Sequence, residues 1–303
     1  MIRIKYFFAK IICRFLPPIV SQSVRNQIIS IKDGEVLNKD FIKRSFTGSK
    51  FYGSTRDFHA FKFSVHGYFD WRNIIIAKSV LKFKEGAIIE VGANIGTETI
   101  SFSDIAKKYN TNVFAFEPVP SNYESLVRNK EVNHLNNLIL FNTLVAEKTG
   151  KTFFNIPEGN NSGSGHISNK SETNSREFEV VTLDGKLNNK KIALISVDVE
   201  GFEYQVLKGS EGLLKDSRPS LILEVNKKYL KERGGIEVEN FYEYLSSFGY
   251  HCFYIERLGL EKVDIKNFKH KSSKNWLCIH QHEMSKLRQI NNSIFLNCFN
   301  PFL

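Results

Sequence analysis

The sequence predicts a doubly wound α/β fold with a mostly parallel sheet, preceded by a helical N-terminal extension. Three segments carry that reading. Ala87–Val91 is a buried-strand run that stops at Gly92, and residues 112–116 (Asn-Val-Phe-Ala-Phe) are a second that delivers Glu117 and Pro118. Residues 191–197 (Lys-Ile-Ala-Leu-Ile-Ser-Val) are another, ending in Asp198. Apolar runs of this length bounded by turn residues, alternating with helical patterns, read as parallel strands joined by crossovers.

At the N-terminus, Ile4, Phe7, Phe8, Ile11, Ile12 and Phe15 recur at helical spacing, with Arg3, Lys10 and Arg14 largely on the other side and Pro17-Pro18 as the stop. A basic amphipathic segment over residues 1–16 predicts either peripheral contact with an anionic membrane or a helix packing its apolar stripe on the domain or a second subunit. Lys10 and Arg14 interrupt any secretory h-region, and no small-residue cleavage site follows. After Glu117, Ser121 is expected to cap a helix through about His134, with Glu124 completing a capping box. Residues 138–145 read as the third strand, and Gly150 turns into residues 152–155. The polar stretch 160–165 reads as a hinged lid or a plain surface loop. A strand over 178–183 precedes Asp184, a helix covers 203–214, and Pro219 starts a strand at 221–225. A helix near 238–248 and a strand at 251–256 follow. The expected division is an extension over residues 1–60, a catalytic domain over 61–288 and a tail over 289–303.

Composition narrows the class. With 303 residues, 42% of them hydrophobic, the chain is long enough for one substantial α/β core. The four cysteines, Cys13, Cys252, Cys278 and Cys298, form no C-x-x-C pair, which suits a reducing, cytoplasmic setting and predicts neither zinc nor a disulfide framework. His280 and His282 read as surface or packing histidines. No apolar run reaches 18 residues, so no membrane span is expected. Of the net charge of +10, residues 1–50 hold 10 Lys and Arg against 3 Asp and Glu, and residues 261–303 hold 7 against 3. The middle of the chain is nearly balanced. An enzyme acting on nucleic acid would carry its basic stripe across the active face, so no nucleic-acid partner is expected.

The functional signal is concentrated at the strand ends. Gly92 and Gly96 let the backbone turn tightly near a ligand, and the helix behind them offers free N–H groups. Glu117, about 21 residues on, stands where doubly wound folds hold ribose hydroxyls. The glycine spacing lacks the middle and last glycines of the dinucleotide fingerprint; with Glu90 two residues before Gly92, it suits S-adenosylmethionine. Asp198 and Glu200 sit together at a third strand tip.

These motifs, in order, resemble the FkbM-like methyltransferases: residues 89–96 (Ile-Glu-Val-Gly-Ala-Asn-Ile-Gly), 116–120 (Phe-Glu-Pro-Val-Pro), 181–184 (Val-Thr-Leu-Asp), 197–203 (Val-Asp-Val-Glu-Gly-Phe-Glu) with 206–209 (Val-Leu-Lys-Gly), then 221–225 and 276–279 as closing strands. The resemblance spans roughly residues 85–280. One departure is Ser196, where the family often has lysine. The resemblance implies a Rossmann-like class I methyltransferase that takes S-adenosylmethionine and methylates oxygen on a glycan, lipid-linked sugar or specialised metabolite. It is expected in the cytoplasm, with peripheral contact at the inner face of the membrane as the alternative setting. The expected cofactor residues are Glu90, Gly92, Ala93, Asn94, Gly96, Thr97, Glu117, Pro118 and Asp198. Asp198 leads the candidates for proton transfer, followed by Glu200, His166 and Glu224, with no metal ligand expected. Two other readings stay open. A nicotinamide-dependent dehydrogenase or sugar epimerase lacks the required glycines and a Tyr-x-x-x-Lys pair in the right place, since Tyr204 and Lys208 open the helix after Asp198. The other is a non-catalytic module that binds cofactor or glycan.

Overall fold

The computed structural model of the chain describes residues 1–156, 165–167, 175–268 and 273–301. Its elements run α1 (Ile2–Arg14), α2 (Pro18–Ile28), α3 (Ile31–Leu37), β1 (Asp40–Arg44), β2 (Lys50–Ser54), α4 (Phe58–His66), α5 (Trp71–Val80), β3 (Ala87–Val91), α6 (Thr99–Lys108), β4 (Val113–Phe116), α7 (Pro120–Val132) and β5 (Leu138–Phe141). They continue as β6 (Leu144–Val145), β7 (Gly150–Asn155), β8 (His166–Ile167), β9 (Ser175–Val181), α8 (Leu183–Leu187), β10 (Ile192–Val197), α9 (Glu203–Lys208), α10 (Glu211–Asp216), β11 (Ser220–Val225), α11 (Lys227–Glu232), α12 (Val238–Ser247), β12 (Tyr250–Ile255), β13 (Leu260–Lys262), β14 (Lys274–His280) and α13 (Leu287–Cys298).

Among the described residues, eight strands form the main sheet in the order β13-β12-β14-β11-β10-β3-β4-β5. β11, β10, β3, β4 and β5 run parallel, and β14 lies antiparallel between β11 and β12. From β3 the chain steps outward through β4 and β5, then returns to the other side of β3 as β10 and β11. β3 is thus the point where strand order reverses, and open α/β sheets bind ligands in the crevice beyond the strand ends there. Alternation along each strand builds a core on both faces. Ile88, Val113 and Ala115 face α5, α6 and α13, while Ile89, Val91, Phe114 and Phe116 face the layer of α8 to α12.

Local structure departs from the sequence reading at three places. The strand expected over 138–145 stops at Phe141, because the Asn142 amide turns to donate to the carbonyls of Glu117 and Pro118; β6 then joins a smaller sheet with β7, β8 and β9. No capping box forms at Ser121 and Glu124. α7 instead starts at Pro120, whose fixed φ suits the first helical position. The helix expected over 203–214 breaks at Gly209, where a Cβ would come within 2.2 Å of the Ala146 carbonyl oxygen, and Asp184 caps α10 by accepting from the Gly212 and Leu213 N–H groups. Residues 160–164, most of the expected polar loop, lie outside the described residues.

At α1 the structure bears on one of the two alternatives. Its apolar stripe does not pack on the domain: Ile4, Phe7, Phe8, Ile11, Ile12 and Phe15 are all exposed. The helix packs through Tyr6, Ala9 and Cys13 against Ile29 and Phe61, Tyr6 stacking on Phe61 with centroids 6.4 Å apart. Small side chains on that face let α1 come close to α4. At the other terminus, Ile290, Ile294 and Cys298 of α13 pack into the core beside α5.

Candidate active site

Past the strand ends the backbone ladder continues for one more step. Asp198 N–H donates to the Val91 carbonyl, Gly92 and Ala93 N–H to Phe116, and Glu117 N–H to Phe141, each at 3.0 Å. Beyond these tips lies a cavity of about 590 Å³ bordered by Glu90, Gly92, Ala93, Asn94, Thr97, Glu117, Pro118, Asp198, Glu200 and Glu224. Topology therefore brings the expected cofactor and proton-transfer residues together, with two exceptions. Gly96 does not border the cavity; its φ of +90° serves close packing, since a Cβ there would meet Leu126 Cδ1 at 2.7 Å. His166 is on β8, but its side chain lies outside the described residues.

Glu117 ties the first two loops together. Its Oε2 accepts from the Asn94 N–H at 2.8 Å, while Oε1 accepts from the Val119 N–H at 2.9 Å and the Asn122 amide at 3.3 Å. Asn94 reaches that position with φ of +52°, a left-handed conformation asparagine tolerates. Burial pushes the Glu117 carboxyl up to about 7 against the pull of those donors. Glu90, inside β3, is pushed up to about 8 by burial, with Glu117 adding. Its Oε2, and Oδ1 of Asn94, are buried and have no hydrogen-bond partner among the described residues.

On the other side of β3, burial raises the Asp198 carboxyl well above its usual range, followed by the Glu224 charge, a shared hydrogen bond with Glu224, and the nearby Glu200 and Glu203. The Asp198 side chain opens onto the cavity. Glu224 also accepts from the Ser273 hydroxyl at 2.6 Å. Glu200 is pushed up to about 7 by burial and then Glu224, with Arg233 opposing; it is held at φ of +53°, a backbone strain of about 1–3 kcal/mol of the kind found at working sites. Glu203 shapes the loop instead, accepting from the Gly201 and Val199 N–H groups at 3.0 and 3.3 Å.

Residues 57–73, which no motif singled out, form the facing wall. Asp57 caps α4 through the Ala60 N–H, and Asp70 caps α5 while clasping the Arg72 guanidinium at 2.9 and 2.7 Å. α4, which crosses the expected boundary at residue 60, turns Phe58, His59 and Lys62 to the cavity. The Lys62 ammonium lies 3.8 Å from the Phe58 ring centroid and 4.7 Å from that of Phe69. It has no ion pair among the described residues, and burial pushes it down to about 8. His59 packs on Phe69 at 4.6 Å with Nδ1 3.5 Å from the Asn94 amide. Burial lowers its pKa, leaving a neutral imidazole at pH 7.

These residues fit S-adenosylmethionine, which carries a ribose, a sulfonium and an ammonium. Glu90, Glu117, Asp198 and Glu224 border the cavity with no ion-pair partner among the described residues, and two buried acceptor oxygens beside them lack donors. The pyrophosphate of a dinucleotide would face carboxylates instead.

The sequence profile described as "Methyltransferase FkbM domain" matches residues 90–252, just over half of the chain. No curated protein matches the sequence. Among solved structures, methyltransferase FkbM from Methylobacillus flagellatus KT is 13% identical with a TM-score of 0.42, covering 90% of this chain and 58% of that one. The chain thus spans less than two thirds of that protein's length. M. jannaschii TYW2 in complex with AdoMet is 15% identical with a TM-score of 0.39, covering 80% of this chain and 84% of that one. A putative methyltransferase from Streptococcus mutans in complex with SAH is 13% identical with a TM-score of 0.38, covering 69% and 97%. On the strength of the profile match, the chain belongs to the FkbM family of S-adenosylmethionine-dependent methyltransferases.

Proposed function

We propose that the protein methylates an oxygen of a glycan, lipid-linked sugar or specialised-metabolite acceptor. One observation carries the reading: the strand-tip acids Glu90, Glu117 and Asp198 share a single cavity with an aromatic and cationic wall built by α4. Its volume of about 590 Å³ falls in the usual small-molecule range of about 300–1,000 Å³. Bound there, S-adenosylmethionine supplies a methyl group on a positively charged sulfur, already activated for displacement. The chain's own task is to bind, align and exclude water, an effect worth several kcal/mol and up to roughly 7–11 in the best intramolecular cases. Glu117 receives the ribose hydroxyls through its remaining lone pairs, and Glu90 with Asn94 offers acceptors to the ammonium end. Phe58, His59, Lys62 and Phe69 hold the acceptor against that side. An alcohol is a poor nucleophile until its proton leaves; the Asp198 carboxylate, with Glu224 beside it, takes it.

Calorimetric titration with S-adenosylmethionine, S-adenosylhomocysteine and NAD tests this directly. Binding of NAD alone would overturn it. In the same assay Glu117→Ala should weaken S-adenosylmethionine about 10- to 150-fold, the scale of roughly 1.5–3 kcal/mol for hydrogen bonds to a charged group. Because Glu117 also satisfies three internal donors, the melting temperature should fall as well. Parent-like affinity would remove Glu117 from the cofactor site.

The acids also set a pH dependence. Glu90, Glu117 and Glu200 are raised to about 8, 7 and 7, so each is increasingly ionised only as pH climbs through 7–8. A cationic ligand favours the ionised site. Affinity for S-adenosylmethionine should therefore rise from about pH 6 to about pH 8.5, and more steeply than for S-adenosylhomocysteine, which lacks the sulfonium charge. Stability of the ligand-free protein has the opposite sign. A carboxyl with a raised folded-state pKa favours folding fully below its unfolded value and loses that contribution as pH rises through the folded one. The ligand-free melting temperature should fall over the same interval. Equal pH slopes for the two ligands would separate these acids from the sulfonium.

A further inference from the structure

The outer face of α1 has no partner among the described residues. It exposes Ile4, Phe7, Phe8, Ile11, Ile12 and Phe15, between 41% and 67% each, while Tyr6, Ala9 and Cys13 are turned inward. Six large apolar side chains are here placed outward while only Tyr6, Ala9 and Cys13 point inward, the reverse of a helix whose main task is to fill a core. Val20 of α2 and Phe295, Leu296 and Phe299 at the end of the chain are exposed as well, and α2 packs against both α1 and α13.

Charge identifies the occupant. Residues 1–32 contain six Lys and Arg and no Asp or Glu. Arg3, Lys5 and Arg14 on α1 are exposed, and the Lys10 ammonium lies over the Tyr6 ring at 4.7 Å. A protein surface filling the apolar stripe would more often supply its own acids opposite; an anionic bilayer supplies both acyl chains and negative headgroups. At 13 residues, α1 is too short for the roughly 20 that cross a hydrocarbon core, so it fits lying in the plane of the interface.

We propose that α1 docks this protein on the surface of an anionic membrane. The position of the cavity accords with that. α4 carries Phe61, on which α1 rests, and Phe58, His59 and Lys62, which line the cavity. Gln22 of α2 also borders the cavity and donates to the Phe69 carbonyl, two residues after the exposed Val20. One pair of short helices thus joins the docking face to the wall opposite the strand-tip acids. The inference stands apart from the methyl-transfer reading, since it needs neither cofactor nor acceptor.

Sedimentation of the full chain with vesicles of phosphatidylcholine containing phosphatidylglycerol provides the test, with pure phosphatidylcholine vesicles alongside. Binding to the anionic vesicles should exceed that to neutral ones and weaken as salt rises, because exposed charges are screened. The Phe7→Ser, Phe8→Ser double variant should reduce partitioning about tenfold or more, as expected for losing two large apolar side chains from the interface. It should keep the parent's melting temperature, both residues being exposed. K5Q with R14Q should reduce the preference for anionic vesicles while leaving neutral binding unchanged. Absence of parent binding, or equal binding by parent and Phe variant, would overturn the proposal. So would a dimer in sedimentation velocity that the Phe variant dissociates, assigning the face to a second copy. Because Asp198 and the other strand-tip acids are untouched, cofactor affinity of the Phe variant is read separately by calorimetry.

Discussion

Gly92→Val is expected to abolish cofactor binding and to destabilise the sheet at its centre. Gly92 has φ of +86°, and a Cβ there would lie 1.9 Å from the Asp198 carbonyl oxygen and 2.9 Å from its carbon. Those are backbone atoms, so no rotamer change relieves the overlap. Relief requires β3 and β10 to part at their tips, where the Asp198 N–H bonds to the Val91 carbonyl. Overpacking costs typically about 1–3 kcal/mol, and a left-handed conformation for a residue with a side chain adds roughly 1–2 kcal/mol. Against a total stability of about 5–15 kcal/mol, a folded but weakened protein is expected. Because the clash begins at Cβ, Gly92→Ala should fail nearly as badly, which separates close backbone approach from simple filling of the cavity. Urea unfolding and calorimetry read the two effects. Parent-like cofactor affinity in the alanine variant would show that the tips can part without harm.

That contact also shows which parts of the site could be read in the sequence. The strand tips were legible because each signal is local: a run of buried residues, then a glycine or an acid, all within a few positions. Their convergence follows from the parallel order of β10, β3 and β4, which the alternating pattern implies. Residues 57–73 were not legible. His59, Lys62 and Asp70 have no motif spacing; α4 brings the first two to the cavity by packing against β1 and β2, and Asp70 borders it just before α5. Gly96 illustrates a different limit. A glycine at positive φ marks a close approach without saying to what, and here Leu126 is the neighbour. On α1, helical spacing reveals two faces but not which one turns inward. That is decided by the fit of Ala9 and Cys13 over Phe61 and Ile29, a long-range packing fact. Pro120 at the start of α7 similarly outweighed Ser121, because a preset φ fixes the first turn without a side-chain cap.

Asp198→Asn should retain the fold and lose most methyl transfer. The change is nearly isosteric and leaves the backbone bond from Asp198 to Val91 intact. It removes the carboxyl's charge and basicity beside Glu224. Burial and then three neighbouring acids raise the Asp198 carboxyl well above its usual range, and a bound cation works against that shift. That coupling gives two separable results. If the pair accepts the acceptor hydroxyl's proton, turnover at saturating S-adenosylmethionine should drop by roughly 10²–10⁴, the scale of general-base catalysis, and Glu224→Gln should drop it too. If Asp198 instead steadies the cationic end of the cofactor, KM for S-adenosylmethionine should rise with turnover nearly normal. The pH profile adds a third reading, because the Asn variant loses the dependence on Asp198 titration only in the first case. The assay begins with cell extract and a labelled methyl group, to find the acceptor. Full activity with unchanged cofactor affinity would defeat both roles for Asp198 and move the search to Glu200, to His166, and to His59 across the cavity, whose neutral imidazole is already a competent base.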